Sequence, residues 1–266
     1  MKLQRPVISI LLRYVNHGNK KDVNYLIAKA MLDNYELIGD KTIHEMAELC
    51  FVSASSLSRF VKVIGFDNYS DFKESAINII DIDVDYSIEV SRAKKEDLIP
   101  IFNQYTENII DNIQFFNENI NFEQLNKLTE MIYKSENIIF LGLEFATLIG
   151  YHFQIKMAEL NKHIKIGDTY EEQFELVNNM PDKSLIIIAS LEGGYFYRNY
   201  DIIKILEEKK SDIIVLTMNE HIKPVQHIAS EIVVISKSNS NTEGRISLLY
   251  AIETLIMLYY INYKNV

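Results

Sequence analysis

The sequence holds a single cysteine, Cys50, in 266 residues. That excludes an intramolecular disulfide and a cysteine-based metal cluster within one chain, and it fits a reducing compartment. The six histidines, His17, His44, His152, His163, His221 and His227, show no H-x-x-x-H or similar spacing, so neither a metal nor another cofactor is expected. Long apolar runs are scarce too. Val7 to Leu12 is too short for a span and has no small-residue cleavage site, so it does not read as a signal peptide. Leu248 to Ile261 contains Glu253 and falls short of the roughly 20 residues a span needs, which points to a buried or dimer-forming helix and to no membrane partner. The expected location is the cytoplasm. No internal repeat is evident, and the only biased tract is the short loop from Ser236 to Asn241.

What the chain does have is apolar mass: 48% hydrophobic residues against 24% charged, enough to offset the conformational entropy that keeps disordered chains unfolded. Its length suggests about two domains. The net charge of −10 argues against nucleic acid at first sight, because phosphate binding draws on basic residues. The charge is unevenly spread, however. Residues 1–80 hold 10 Lys/Arg against 9 Asp/Glu, whereas residues 81–266 hold 17 against 28, and such asymmetry suggests two separate jobs.

The first 80 residues read as short helices, with turn signals at Gly39-Asp40 and around Gly65. Thr42-Ile43-His44-Glu45 fits a capping box, and Ile43, Met46, Ala47 and Cys50 are spaced for one buried helical face. After Phe51-Val52, Ser53 is a good N-cap for a helix over Ala54 to about Ile64, with Gly65 as its stop. This second helix has two unlike faces. Ser55, Ser58, Arg59 and Lys62 share one side and Leu57, Phe60, Val61 and Ile64 the other. A hydroxyl-rich, basic face of this kind suits a major groove, with Arg59 able to make a bidentate guanine contact and Lys62 placed for phosphate. A merely solvated polar face would look the same in isolation; the capped helix before it favours DNA.

From Ile138 the pattern changes. Short β-branched runs at Ile138–Leu143, Leu185–Ser190, Ile213–Thr217 and Ile232–Ser236, with a weaker one at His163–Gly167, alternate with helical segments. The expected fold class is α/β overall: an all-α helix-turn-helix domain, then a three-layer αβα domain around a five-stranded parallel sheet. A ligand would lie beyond the strand C-termini. The boundaries read as 1–78 for the first domain, 79–105 for a linker and 106–266 for the second, whose first helix follows the apolar period Ile101, Tyr105, Ile109, Ile113 and Phe116.

The stretch from Thr42 to Lys73, T-I-H-E-M-A-E-L-C followed by V-S-A-S-S-L-S-R-F-V-K-V-I-G-F and N-Y-S-D-F-K, resembles the RpiR family of bacterial transcriptional regulators. The resemblance implies a winged or extended helix-turn-helix, with Ser53, Ser55, Ser56, Ser58, Arg59 and Lys62 nearest a double-stranded DNA operator. It departs from many such motifs in placing Phe51 where glycine or another residue tolerant of positive φ is common. The second half, from about Phe122, resembles the sugar-isomerase (SIS) domain that follows this module in the family. That implies control of carbohydrate-metabolism genes, a sugar or sugar derivative as small-molecule effector, and a homodimer or homotetramer held through the SIS half.

In the family two loops, the later one S-x-S-G-x-T, cradle a sugar phosphate with hydroxyls and amides. Here the first reads Gly142-Leu143-Glu144-Phe145-Ala146-Thr147 and the second Ser190-Leu191-Glu192-Gly193-Gly194-Tyr195. Donor positions have become Glu144, Ala146, Glu192 and Tyr195. Two like charges about 4 Å apart repel by on the order of 4 kcal/mol at an effective dielectric near 20, roughly three decades of affinity. Either the effector is not a conventional sugar phosphate, or both glutamates point to solvent and the domain is a dimerisation scaffold. Glu144, Thr147, Ser190, Glu192, Gly193 and Thr217 are the candidate effector residues, the three hydroxyls doubling as candidate strand-end caps. No catalytic residue is assigned and the chain is read as a non-enzyme. The alternative is a SIS-fold sugar-phosphate isomerase or etherase using the two glutamates as acid and base.

Overall fold

The computed structural model describes residues 7–77, 86, 88–209, 211–237 and 241–264, which divide into two compact units, Met1–Val84 and Asp85–Val266. The first unit contains α1 (Val7–His17), α2 (Val23–Asp33), α3 (Ile43–Leu49), α4 (Ala54–Val63) and α5 (Tyr69–Ile77), plus a 3-10 turn at Tyr35–Leu37. No strand occurs among its described residues, so the winged form of the motif is not seen there and the extended, all-helical form is. Leu11, Met31, Met46, Leu57, Phe60 and Phe72 are buried at its centre, with Tyr14 edge-on to Phe60 at 5.5 Å and Phe66 edge-on to Phe72 at 5.4 Å. The Tyr69 hydroxyl donates to the Lys41 carbonyl at 3.3 Å, and burial pushes that phenol up to about 12. Cys50 lies in the same core, its thiol pushed up to about 11 by burial, which makes it a packing residue without thiolate character near neutrality.

The second unit begins with the short α6 (Ile88–Arg92), a 3-10 turn at Lys95–Asp97 and the 22-residue α7 (Leu98–Asn119). Helix α7 starts inside the stretch expected to be linker. Pro100 is compatible with that start because it sits in the first turn, where backbone amides have no partner within the helix. Then follow α8 (Phe122–Lys134), β1 (Ile138–Gly142), α9 (Phe145–Glu159), β2 (Ile164–Ile166), α10 (Tyr170–Asn178), β3 (Leu185–Ala189), α11 (Gly194–Arg198), α12 (Tyr200–Lys209), β4 (Asp212–Thr217), α13 (Lys223–Ile228), β5 (Glu231–Val234) and α14 (Asn241–Tyr263).

The five strands form one parallel sheet in the order β2-β1-β3-β4-β5, with Ile138 opposite Leu185 and Leu185 opposite Asp212. The β-branched runs are buried on both sides, and their two-residue period sorts them into two cores. Ile138, Phe140, Leu185, Ile187, Ile214 and Leu216 pack on one face with residues of α8, α9 and α14. Ile139, Leu141, Ile186, Ile188, Ile213 and Val215 pack on the other with residues of α10, α11, α12 and α13. This is the three-layer αβα arrangement. The chain leaves β1 for β2 on one side and returns to β3 on the other, so the strand order switches direction between β1 and β3. The loops that follow these two strands therefore flank the natural ligand crevice of the sheet.

Helix α14 runs 23 residues, longer than the apolar run in the sequence, because its first turn recruits polar Thr242 and Glu243. Thr242–Tyr263 is long and apolar enough to cross a membrane by length and composition alone, a test that the core helix of a globular protein also passes, while the apolar run Leu248–Ile261 within it is shorter than a span.

Candidate nucleic-acid interface and effector crevice

The capping box at Thr42 is formed: the Thr42 hydroxyl accepts from the Glu45 amide at 3.3 Å and the Glu45 carboxylate accepts from the Thr42 amide at 2.8 Å. These bonds hold the Glu45 carboxyl below its ordinary range. Helix α3 ends with the Val52 amide donating to Ala47 and the Phe51 amide to Glu48, each at 3.0 Å. Helix α4 ends in the same way, the Phe66 amide donating to Val61 and the Gly65 amide to Lys62. Both are left-handed C-terminal caps. Gly65 takes up this conformation at φ 98° without strain, whereas Phe51 takes it at φ 55° with its ring 94% exposed. The turn between α3 and α4 thus has ordinary geometry built from an unusual residue.

Ser53 caps α4, its hydroxyl accepting from the Ser56 amide at 3.1 Å. Its Oγ also lies 2.8 Å from the Ser55 hydroxyl and 3.0 Å from the Ser56 hydroxyl, and Arg59 donates through a terminal guanidinium nitrogen to Ser56 Oγ at 3.3 Å. Leu57, Phe60, Val61 and Ile64 are buried. Ser53, Ser55, Arg59 and Lys62 are exposed, and Ser56 and Ser58 are half-buried. The six residues singled out from the sequence therefore lie along one helix and its cap, but not as equals: Ser56 is engaged in steadying Arg59, while Ser55, Arg59 and Lys62 face outward.

The crevice at β1 and β3 is built differently. Thr147 is buried and its hydroxyl donates to the Gly142 carbonyl at 3.0 Å. Thr217 is buried, donating to the Leu191 carbonyl at 3.0 Å and accepting from the Asn219 amide at 3.1 Å. The Ser190 hydroxyl accepts from the Tyr195 amide at 3.1 Å. All three cap strand ends and loops. Gly193 is buried at φ 84°, a conformation that leaves little choice but glycine there. Glu144, at φ 46°, and Glu192 are both exposed, so neither carboxylate is enclosed by the subunit.

Two residues that the sequence did not single out as a pair close the crevice from within. Tyr195, standing where the family pattern has threonine, is buried, and its hydroxyl donates to Gln173 Oε1 at 2.8 Å. The buried Gln173 amide in turn donates to the Gly142 carbonyl at 2.9 Å and the Gly167 carbonyl at 3.0 Å. Burial holds the Tyr195 phenol well above its ordinary range, so it stays a neutral donor. The tyrosine thereby ties the β3 loop, through α10, to the ends of β1 and β2. Among the described residues no group of three His, Cys, Asp or Glu side chains is placed to hold a metal ion.

Comparison with known proteins supports both halves. No family model matches the chain. It is 24% identical over 213 residues, 76% of its own length and 71% of the relative's, to an uncharacterized HTH-type transcriptional regulator in the aarA 3' region of Providencia stuartii. Its fold resembles the NanR protein of Vibrio vulnificus, solved in complex with ManNAc-6P, at a TM-score of 0.55 and 15% identity, covering 97% of this chain and 92% of that one. It also resembles the sugar isomerase domain of an RpiR transcription factor from Sphaerobacter thermophilus, at a TM-score of 0.52 and 16% identity over 60% of this chain and 90% of that one. The comparisons agree with the geometry: a helix-turn-helix unit is followed by a unit of SIS fold.

Proposed function

We propose that this DNA-binding transcriptional regulator contacts its operator through the outward face of α4, with Arg59 reading a base edge, Ser53, Ser55 and Ser58 lining the approach, and Lys62 on phosphate. One observation carries this reading: the apolar side of α4 is wholly committed to the core while Ser55, Arg59 and Lys62 stay open, with Arg59 already steadied by Ser56. A regulator of this kind works in the compartment that holds its DNA, the cytoplasm, and reads paired half-sites as a homodimer or homotetramer.

The SIS unit, in this reading, answers to a sugar or sugar derivative bound near Glu144, Glu192 and Gly193, and the genes controlled are those of carbohydrate metabolism. The Vibrio neighbour's complex with a sugar phosphate supports the ligand class. The phosphate pose itself is disfavoured, because Thr147 and Thr217 spend their hydroxyl hydrogens on backbone carbonyls and Tyr195 fills the threonine position. A neutral or amine-bearing sugar suits two exposed carboxylates better. An isomerase reading rests on shared fold alone, which does not specify chemistry.

The test is footprinting on DNA upstream of the chain's own coding region. Arg59→Ala should weaken specific binding by about 5- to 150-fold, the worth of one bidentate base contact, with the circular dichroism spectrum unchanged. Retained specific binding removes Arg59 from this role. Calorimetry against hexose phosphates tests the sensor: micromolar affinity for any of them refutes the charge argument.

A further inference from the structure

The turn between α3 and α4 carries an aromatic side chain that the fold does not use. Phe51 is 94% exposed, more than any other large apolar side chain among the described residues, and its backbone stands at φ 55°. A lone apolar side chain in solvent needs no explanation by itself. This one also strains the backbone that carries it, because a Cβ at positive φ crowds the following carbonyl, and the matching cap of α4 shows the unstrained solution in Gly65. A residue that gains no burial and stores strain points to a contact outside the subunit.

Its place in the chain says which contact. Val52 packs against the core, and Ser53 then opens α4 with its own hydroxyl and that of Ser55 exposed. Phe51 therefore stands at the N-terminal end of the helix that carries Arg59, the end that meets base edges in a helix-turn-helix. The amides of Phe51 and Val52 donate to the Glu48 and Ala47 carbonyls, each at 3.0 Å, so the direction in which the side chain leaves the turn is fixed before DNA arrives.

A phenyl ring has no donor or acceptor to offer a phosphate or a polar base edge. The apolar feature of the major groove is the C5 methyl of thymine, and phenylalanine is among the side chains that pack against it. We propose that Phe51 reads a thymine in each operator half-site by laying its ring on that methyl. This rests on the reading of α4 as the DNA-contacting helix, and it adds an apolar determinant of specificity to the polar contacts of Ser55, Arg59 and Lys62.

Gel-shift titration of the full chain on the footprinted operator, with each thymine replaced in turn by deoxyuridine, tests this, since the replacement removes the methyl alone. For wild type, one position per half-site should cost about fourfold in affinity, the worth of one buried methyl. Phe51→Gly should bind the unmodified operator about tenfold more weakly and lose nothing further at that position, while melting no lower than wild type. Phe51→Leu, which keeps an apolar side chain, should retain the sensitivity to deoxyuridine. If Phe51→Gly binds as wild type does, or keeps the wild-type loss at every deoxyuridine, the proposal fails while the role of Arg59 stands. Full operator affinity with weakened transcription from a reconstituted promoter would assign Phe51 to a protein partner and overturns it too. Absence of any sequence-specific footprint for wild type removes both this proposal and the reading of α4.

Discussion

The two units use the same side chains in opposite ways. On α4 the hydroxyls of Ser53 and Ser55 bond to one another and stay open to solvent. In the sheet unit the hydroxyls of Thr147 and Thr217 donate to backbone carbonyls of the same unit, and Ser190 accepts a backbone amide from Tyr195. A serine or threonine at an element end can serve a partner or the fold. Which it does depends on whether water can reach it, since a buried hydroxyl without a partner costs about 1–3 kcal/mol. The helical unit therefore keeps these hydroxyls at the surface, and the sheet unit turns its own inward.

That contrast can be broken experimentally. Its strongest test is Gln173→Leu, a substitution of similar size that strands the Tyr195 hydroxyl and removes a donor from both the Gly142 and Gly167 carbonyls. We expect a loss of about 2–4 kcal/mol in urea unfolding, with DNA binding by the folded fraction unchanged. A loss below 1 kcal/mol would mean that the Tyr195 tie does not close the crevice.

A matched pair sharpens the comparison at about 1 kcal/mol each. Ser53→Ala removes the α4 cap and should lower operator affinity along with stability, whereas Thr217→Val should lower stability alone. Equal effects on DNA binding would erase the distinction between the two classes of hydroxyl.

The smallest effect concerns the paired helix ends. Phe51→Gly gives α3 the same cap residue as α4, relieving a left-handed penalty of about 1–2 kcal/mol against a glycine entropy cost of about 0.5–1 kcal/mol. Its ring is too exposed to lose packing, so thermal melting should shift upward by a degree or two. A downward shift would show that the ring has a structural contact in solution.

Much of this was readable before any coordinates. The Thr42 and Ser53 caps, the buried faces of α3 and α4 and the five strands follow from local patterns: a cap acts within three residues, and a strand buried on both faces announces itself as a β-branched run. The start of α7 was not, because Pro100 reads as a boundary when only its missing amide is considered and not its permitted place in a first turn. Nor was the Tyr195–Gln173 tie, which joins residues 22 apart through a loop and a helix whose approach only the folded sheet determines. The departure at Tyr195 was visible in the loop pattern; its inward direction was not.

Helix α7, at 22 residues, is a rod about 33 Å long. Its lower half is fastened to α14, through Asn108 donating to Glu243 at 3.2 Å and through Phe116 against Tyr250, while its first turns stand clear of the subunit with Leu98, Ile99 and Phe102 uncovered. A bar clamped at one end magnifies rotation. Tilting α14 by 10° about Asn108 swings the Leu98 end, about 15 Å away, by roughly 3 Å, so a small rotation inside the sheet unit becomes a displacement of nearly an amino-acid's length at the free end of the rod.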